Sequence, residues 1–352
     1  MPGALKPASD RSLTTPEQLN TEQGLEPALF ASDTWQITPT FSVDAGVRLS
    51  SFLARNPGKF LGGPEWRLSV KYSPASNLSF KAGVNTMRQY IHLISNTASV
   101  SPMDTWRLSG AAIAPTTGWQ GAAGAYWTLL GAGLDFSVEG YYKKSRNVLD
   151  YKSGAVLMMN PDIAEALVPV FGKAYGVEVM LKKPAGKITG WLSYCYSRSL
   201  LREMQDRGSE TINGGDWYNA QHDKPHEFKM VGNFALTHRY SLSLNVDYAT
   251  GRPITVPVGR YWYDGKMRLA YSERNSYRIP DYFRVDAAIN IDPGHSLKAK
   301  VHTSFTLGVY NVTGRKNPYS VFFRTQPGGT VKGYMLSVFA RQIPYVNLNI
   351  LF

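Results

Sequence analysis

The residues best suited to metal chemistry lie in one short stretch, NAQHDKPHEF. It contains His222, Asp223, His226 and Glu227, and imidazole and carboxylate groups are common metal ligands. Pro225 prevents the two histidines from lying one helical turn apart on a helix. We interpret the stretch as structural, at the point where a loop re-enters a strand, and keep His222, Asp223 and His226 only as weak metal candidates.

A second stretch has the composition of a ligand-binding loop. It reads GRPITVPVGRYWYDGKMRLAYSERNSYRIPDYFR and is rich in tyrosine and arginine. Aromatic faces and guanidinium groups suit a siderophore, a glycan or a peptide. The alternative is that these side chains pack the loop or touch lipopolysaccharide phosphates. The candidate ligand contacts are Arg252, Arg260, Tyr261, Trp262 and Tyr263.

Signals for catalysis are missing from the sequence. Serines are abundant, but no Gly-x-Ser-x-Gly elbow singles one out as a nucleophile. Cys195 is the only cysteine, which rules out an intrachain disulfide and a cysteine-based zinc cluster. We therefore expect no enzyme activity and no cofactor.

Composition restricts the class of protein. The formal charge is +12, but the basic residues are scattered without a lysine- or arginine-rich block, so a nucleic-acid partner is not predicted. Aromatic residues make up 12% and charged residues 18% of the chain, and the mean hydropathy is −0.25. No window approaches the roughly 18 apolar residues of a membrane helix. The apolar residues are instead spread singly.

Alternation of apolar and polar residues is the dominant pattern. FSVDAGVRL, from Phe41, and WRLSVKY, from Trp66, place apolar residues on one face of a strand and polar residues on the other. LSFKAGV, LDFSVEG, LSLNVDY and RVDAAINI repeat the pattern. Period two over this length predicts antiparallel β-structure with two distinct faces.

The connections between these strands alternate between short and long. Tight polar turns are predicted at 38–40, 74–77, 130–133, 184–187, 237–239, 292–298 and 341, and long connections at 51–63, 91–117, 151–174, 200–223, 251–281 and 311–332. In an up-and-down barrel every second connection emerges at the same rim, and outer-membrane barrels have short periplasmic turns and long extracellular loops. The rhythm predicts a transmembrane antiparallel β-barrel of about fourteen strands over residues 27–352, after an extracellular-loop-like or disordered lead-in over residues 1–26.

Two further features fit a membrane barrel. Aromatic residues fall near predicted strand ends, where membrane barrels carry aromatic girdles; they are Trp35, Trp66, Tyr72, Trp119, Trp127, Tyr142 and Tyr248. The chain finishes with YVNLNILF, whose apolar residues Val346, Leu348, Ile350 and Phe352 would face lipid. A terminal aromatic after alternating apolar residues resembles the signal that the outer-membrane insertion machinery reads. That machinery, outer-membrane lipid and lipopolysaccharide are therefore the expected partners.

Several sequence blocks from position 134 onward indicate more than a general membrane barrel. LDFSVEGYYKKSRNVLDYKSG, AYGVEVMLKKPAGKITGWLSYCYSRS, NGGDWYNAQHDKPHEFKMVGNFAL, YATGRPITVPVG and FTLGVYNVTGRKNPYSVFF resemble the C-terminal barrel of TonB-dependent outer-membrane receptors, especially those of Bacteroidetes.

The resemblance implies a location in the bacterial outer membrane and a role in uptake. Receptors of this type have 22 strands, a plug and a TonB-contacting segment, so the chain is expected to correspond to the C-terminal part of such a barrel without the plug. TonB is then a partner only if a plug segment is supplied, and the ligand class (siderophore, glycan, cobalamin or peptide) stays open. A passive outer-membrane pore, an outer-membrane hydrolase and a soluble β-sandwich binding module are the alternatives.

Overall fold

Antiparallel strands dominate the protein. The computed structural model describes residues 4–5, 16–17, 22–55, 58–94, 105–152, 155, 163–263, 265–293, 301–326, 330–338 and 340–351. The described part includes one short helix, Ile163–Ala166, and two 3-10 segments, Gly208–Glu210 and Ile212–Gly215. None of its helices has the length and apolar character needed to cross a membrane.

Most of the described strands belong to one fifteen-stranded sheet, with thirteen long strands and the two-residue strands Gly24–Leu25 and Tyr218–Asn219. Each long strand pairs antiparallel with the next long strand along the chain, which confirms the predicted up-and-down topology. The long strands are β1 (Ala28–Thr38), β2 (Phe41–Ala54), β3 (Lys59–Ala75), β4 (Leu78–Gln89), β5 (Thr116–Leu129), β6 (Leu134–Tyr151), β7 (Leu167–Lys183), β8 (Ile188–Glu203), β9 (His226–Ala235), β10 (Tyr240–Ala249), β11 (Tyr282–Ile291), β12 (His302–Tyr310) and β13 (Ile343–Leu351).

The predicted alternation of short and long connections is present after β4 and fails before it. Short connections join β1 to β2, β3 to β4, β5 to β6, β7 to β8 and β9 to β10, whereas long ones follow β4, β6, β8, β10 and β12. The predicted loop at 51–63 is much shorter in the structure, because the pairing of β2 with β3 continues as far as Ala54 opposite Lys59. All long connections emerge at one end of the sheet, which we call the outer rim.

One predicted strand lies elsewhere. The sequence pattern suggested a barrel strand after 332 and a turn at Arg341, but Val331–Ser337 pairs with Pro318–Thr325 in a separate hairpin. β13 pairs directly with β12, with Asn347 opposite Thr306. The two strands of this hairpin are close in sequence, so their pairing closes only a short loop. The entropic cost of closing a short loop is low. The sheet therefore has thirteen long strands in the described residues, against about fourteen expected.

Strand register confirms the two predicted faces. Val47 lies opposite Trp66 and Leu68 opposite Val84 on the apolar face. On the polar face, Asn85 lies opposite both Arg67 and Gln120. In β13, register puts Val346, Leu348 and Ile350 on the apolar face and Tyr345, Asn347 and Asn349 on the other; Phe352 lies outside the described residues.

Exposed aromatic residues form two belts on the apolar face. Trp66, Trp119 and Tyr142 lie toward the outer rim, and Trp35, Tyr72 and Trp127 toward the short turns, with 40–50% of each side chain exposed. Trp119 and Trp127 are eight residues apart in β5, which corresponds to roughly 26 Å along a strand. An outward apolar band of about 25 Å between aromatic girdles is typical of outer-membrane barrels.

Candidate ligand-binding loops at the outer rim

Buried residues gather at the outer rim rather than along the sheet. Val170, Ile212 and Tyr218 are almost fully buried there, together with the carboxylates of Asp150 and Asp223. Burying a carboxylate is unfavourable unless it is paired and hydrogen-bonded. The partners of these two carboxylates therefore define how the outer loops are held.

Asp223 joins strand β8 to the loop that follows β10. Its side chain is 0% exposed and accepts hydrogen bonds from the Ser199 backbone N–H at 2.6 Å and from Nε of Arg198 at 3.4 Å. The Arg278 guanidinium donates to the other carboxylate oxygen and also to the backbone carbonyls of Asp223 and Gly251. One carboxylate thus fixes two loops against a strand.

Asp150, at the end of β6, is the second anchor. Nη1 of Arg274 donates to it at 2.9 Å, and Nη2 donates to the Tyr151 carbonyl at 2.9 Å. The Tyr218 hydroxyl donates to the other oxygen. Burial and the Asp150 charge raise the pKa of Tyr218 well above its usual value. The Arg274 guanidinium also lies 4.3 Å from the centre of the Tyr151 ring, so this anchor is both charged and packed.

Asparagines complete the loop cluster. Nδ2 of Asn219 donates to the Asn275 carbonyl at 3.2 Å, and Nδ2 of Asn275 donates back to the Asn219 carbonyl at 2.8 Å. Asn213 accepts from the Arg274 N–H at 2.7 Å. Asn213 and Asn275 both have left-handed backbone conformations, with φ of 48° and 55°, which asparagine tolerates better than most residues.

Four of the five predicted ligand contacts lie on one exposed hairpin. Arg260, Tyr261, Trp262 and Tyr263 belong to Pro257–Tyr263, which pairs with Lys266–Tyr271 outside the main sheet. The three aromatic side chains are 51%, 76% and 67% exposed. Arg252 lies apart from them and donates to the Tyr319 carbonyl at 3.2 Å. The structure brings the four hairpin residues together and uses Arg252 to join two loops.

Each of the three weak metal candidates contacts a different partner. His222 Nε2 lies 3.0 Å from the Ser199 hydroxyl, and His226 Nδ1 lies 2.8 Å from the Tyr194 hydroxyl. Both carboxylate oxygens of Asp223 are engaged by arginines. Within the described ranges no group of three or more His, Cys, Asp or Glu is arranged to hold a metal ion.

Sequence reasoning did not identify the arginines and Asp150 of the loop cluster. Asp150 and Arg274 are 124 positions apart, and Asp223 and Arg278 are 55 apart. Asp150 ends a strand, and the other three are ordinary polar residues in polar connections. The one available signal was Asp223 itself, which the sequence singled out for a different chemistry.

The polar face below the loops carries charges of both signs. Asp135 lies opposite Lys182, and Asp247 opposite Arg284. Direct ion pairs join Arg67 to Asp44 at 3.4 Å and Lys229 to Glu227 at 2.6 Å. Cys195 shares this face with Glu178 and Glu227. A face of this kind suits a wet or plugged barrel interior.

Comparison with known proteins identifies the class. The family described as "TonB dependent receptor-like, beta-barrel" matches residues 3–312. The chain belongs to this family, which is one of outer-membrane receptors and transporters. No curated protein matches the chain, and the particular resemblance to Bacteroidetes receptors stays a prediction.

Solved structures show the same fold at low sequence identity. The FrpB iron transporter of Neisseria meningitidis is similar with a TM-score of 0.61 at 11% identity, over 94% of this chain and 46% of that one. The ferripyoverdine receptor of Pseudomonas aeruginosa gives 0.60 at 12%, over 96% and 39%. The ferric-catecholate import receptor Fiu of E. coli K12 gives 0.57 at 14%, over 94% and 45%. The chain spans less than half the length of each. A soluble β-sandwich is excluded as the fold.

Proposed function

We propose that this chain supplies barrel wall and outer loops to a TonB-dependent uptake receptor in the bacterial outer membrane. Residues 27–352 form the barrel segment, and residues 1–26 form a lead-in to it. The observation that carries the proposal is the combination of a charged, paired inner face with an exposed Arg and aromatic hairpin held above it by a locked loop cluster.

The hairpin is the proposed ligand contact. Arg260, Tyr261, Trp262 and Tyr263 offer a cation and three exposed aromatic faces, which suit a planar or anionic ligand such as a siderophore. Glycans, cobalamin and peptides are the other classes in the family. Fiu and the ferripyoverdine receptor take iron–siderophore ligands by name, so ferric siderophores are the first class to test.

Coupled uptake requires a plug and a TonB-contacting segment together with this barrel segment. The test expresses the 352-residue chain as the sole receptor in a strain, with and without a plug-bearing segment in trans, and measures uptake of labelled ferric siderophore, cobalamin, oligosaccharide and peptide. Uptake is expected only with the plug. Energised uptake by the chain alone would refute this requirement, and ion conductance of the purified chain in a bilayer would favour the passive-pore alternative.

Trp262→Ala tests the hairpin. We expect a loss of affinity for the transported ligand of about tenfold, since removal of an aromatic side chain that a bound ligand would cover costs about 1–2 kcal/mol. Tyr240→Ala, at the short-turn end of β10, is the matched control. Equal affinity in the Trp262 variant and the parent protein would remove the hairpin from the ligand site.

The C-terminal strand is the proposed insertion signal. Val346, Leu348 and Ile350 share the apolar face, so a terminal aromatic residue would extend a lipid-facing row. Deletion of Phe352 should reduce assembly into the outer membrane while leaving ligand affinity of the assembled fraction unchanged. Normal assembly of the deletion variant would contradict this role.

A further inference from the structure

The chain contains one Asn-Gly dipeptide, Asn213–Gly214, and it lies inside the outer loop cluster. Asparagine followed by glycine is prone to deamidation, because glycine has no side chain to hinder attack by its backbone nitrogen on the asparagine carboxamide. Gly214 is exposed, and a Cβ added to it would meet no atom of the described residues within 4 Å apart from its chain neighbours. The dipeptide is therefore open to water and unhindered.

Backbone groups of Arg274 hold the Asn213 carboxamide. Its oxygen accepts from the Arg274 N–H at 2.7 Å, and its Nδ2 donates to the Arg274 carbonyl at 3.2 Å. Arg274 is in turn fixed by the ion pair of its guanidinium with the buried carboxylate of Asp150 at 2.9 Å. The amide nitrogen, which must leave as ammonia during deamidation, is thus hydrogen-bonded within the locked cluster.

Deamidation at this dipeptide needs only water as a co-reactant. The Gly214 nitrogen attacks Cγ of Asn213 and forms a cyclic imide. The Nδ2 group leaves as ammonia, which carries off the proton of the Gly214 N–H. One water molecule then opens the imide at either carbonyl and gives aspartate or isoaspartate. The step does not reverse, because the ammonia is lost to solvent.

Neither product can restore the pairing with Arg274. An ionised carboxylate at position 213 only accepts hydrogen bonds, so the Arg274 carbonyl loses its donor. Leaving this part-buried acceptor unpaired is destabilising. Isoaspartate also inserts an additional methylene group into the main chain, where the backbone of Asn213 has a left-handed conformation with φ 48° and ψ 37°. Both products therefore loosen the arm 272–281, which returns from the exposed hairpin to β11.

A neighbouring asparagine shows what distinguishes this dipeptide. Asn275 also has a left-handed backbone, with φ of 55°, and its Nδ2 donates to the Asn219 carbonyl at 2.8 Å. It precedes serine rather than glycine, and only 2% of it is exposed. Asn213 combines a following glycine, an exposed next residue and a carboxamide whose hydrogen bonds depend on one ion pair.

We propose that Asn213–Gly214 is a deamidation site that the Asp150–Arg274 pair shields, and that its modification releases the outer loops in one direction only. While the ion pair is closed, the carboxamide is held. When the arm 272–281 opens, imide formation follows and the pairing cannot re-form. The proposal does not depend on outer-membrane uptake or on which ligand is imported.

The test incubates the full chain in neutral detergent at mildly alkaline pH, with the free peptide Glu210–Tyr218 as the unprotected reference. Peptide mass spectrometry and labelling by an isoaspartate methyltransferase measure the modification. We expect the folded chain to deamidate about thirtyfold more slowly than the peptide, since each of the two hydrogen bonds contributes about fivefold. Arg274→Leu should restore the rate of the peptide, and Asp150→Asn tests the same pair from its other side. Asn233, which is exposed but followed by Phe234, is the internal control.

Asn213→Asp reproduces one product and tests the release of the loops. We expect hydrogen exchange in 272–281 to rise by at least about fivefold, through loss of one hydrogen bond. Asn233→Asp, the same substitution on the sheet, should leave this exchange unchanged. Equal deamidation rates in the folded parent and the peptide, rates in the Arg274 and Asp150 variants as slow as in the parent, or unchanged exchange in Asn213→Asp would each overturn the proposal.

Discussion

Two groups of basic residues lie at the same rim and differ in what surrounds them. Arg198, Arg274 and Arg278 are paired with buried carboxylates and hold the outer loops together. Arg88, Lys144 and Arg146 lie on the apolar face of the sheet, opposite Thr117 and Trp119, and form no ion pair among the described residues. A cation that is paired with a buried carboxylate has a structural role, whereas a cation without a carboxylate partner is free to bind an external anion.

Arg274→Leu should have the largest effect on this comparison. The side chains of Arg274 and Asp150 are only 7% and 8% exposed, so the variant leaves a buried carboxylate without its cation. Loss of one partner of a buried pair costs about 3–5 kcal/mol. Hydrogen exchange of residues 204–225 and 250–281 measures the effect, and Arg268→Leu on the exposed hairpin is the control. Unchanged protection would show that Tyr218 alone satisfies Asp150.

Asp223→Asn should have the next largest effect. The side chain is fully buried, but Arg198 and Arg278 are 28% and 26% exposed, so solvent partly compensates them. We expect about 2–3 kcal/mol of local destabilisation, seen as protease cleavage in 204–225. Asp216→Asn, in the same connection but exposed, is the matched control. Similar cleavage rates in both variants would mean that Asp223 does not hold the loop.

Tyr218→Phe should change the response to alkaline pH. Because the pKa of Tyr218 is raised in the folded state, the unfolded chain releases this proton first, and stability falls as pH rises above the ordinary tyrosine pKa of about 10. The variant loses one hydrogen bond, worth about 1 kcal/mol at neutral pH, but it also loses this alkaline contribution. Thermal unfolding at pH 8 and pH 11 measures both. An equal fall in the parent and the variant would contradict the assignment.

The triple variant R88Q/K144Q/R146Q should have the smallest effect on folding. These side chains make no ion pair among the described residues, and changes of this kind on a surface are usually worth less than about 0.5 kcal/mol. Its thermal midpoint in detergent should therefore match that of the parent. A large loss of stability would show that these three cations, like the arginines of the loop cluster, are structural.

Much of the fold was predictable because its signals are local. Alternation along each strand assigned the two faces, as the register of Val47 with Trp66 and of Asn85 with Gln120 shows. The loop rhythm predicted the topology and the outer rim. There were two exceptions. The predicted long connection at 51–63 is mostly paired strand. In 318–337 two strands of one connection pair with each other, because alternation alone does not determine which partner a strand takes.

The candidate site was predictable only in part. The exposed aromatics of the hairpin are recognisable from composition, since Tyr261, Trp262 and Tyr263 are adjacent in a polar loop. Asp223 was noticed but interpreted as a metal candidate, because its partners Arg198 and Arg278 lie 25 and 55 positions away. The pairing depends on how three connections meet above the sheet.

The sequence by itself determined the strands, their two faces and the rim at which the long loops emerge, because side-chain alternation and turn composition act within a few residues. Only the tertiary structure decided which cations are neutralised. That outcome depends on distances between residues far apart in the chain, and it separates the arginines that hold the loops from the cations on the apolar face of the sheet.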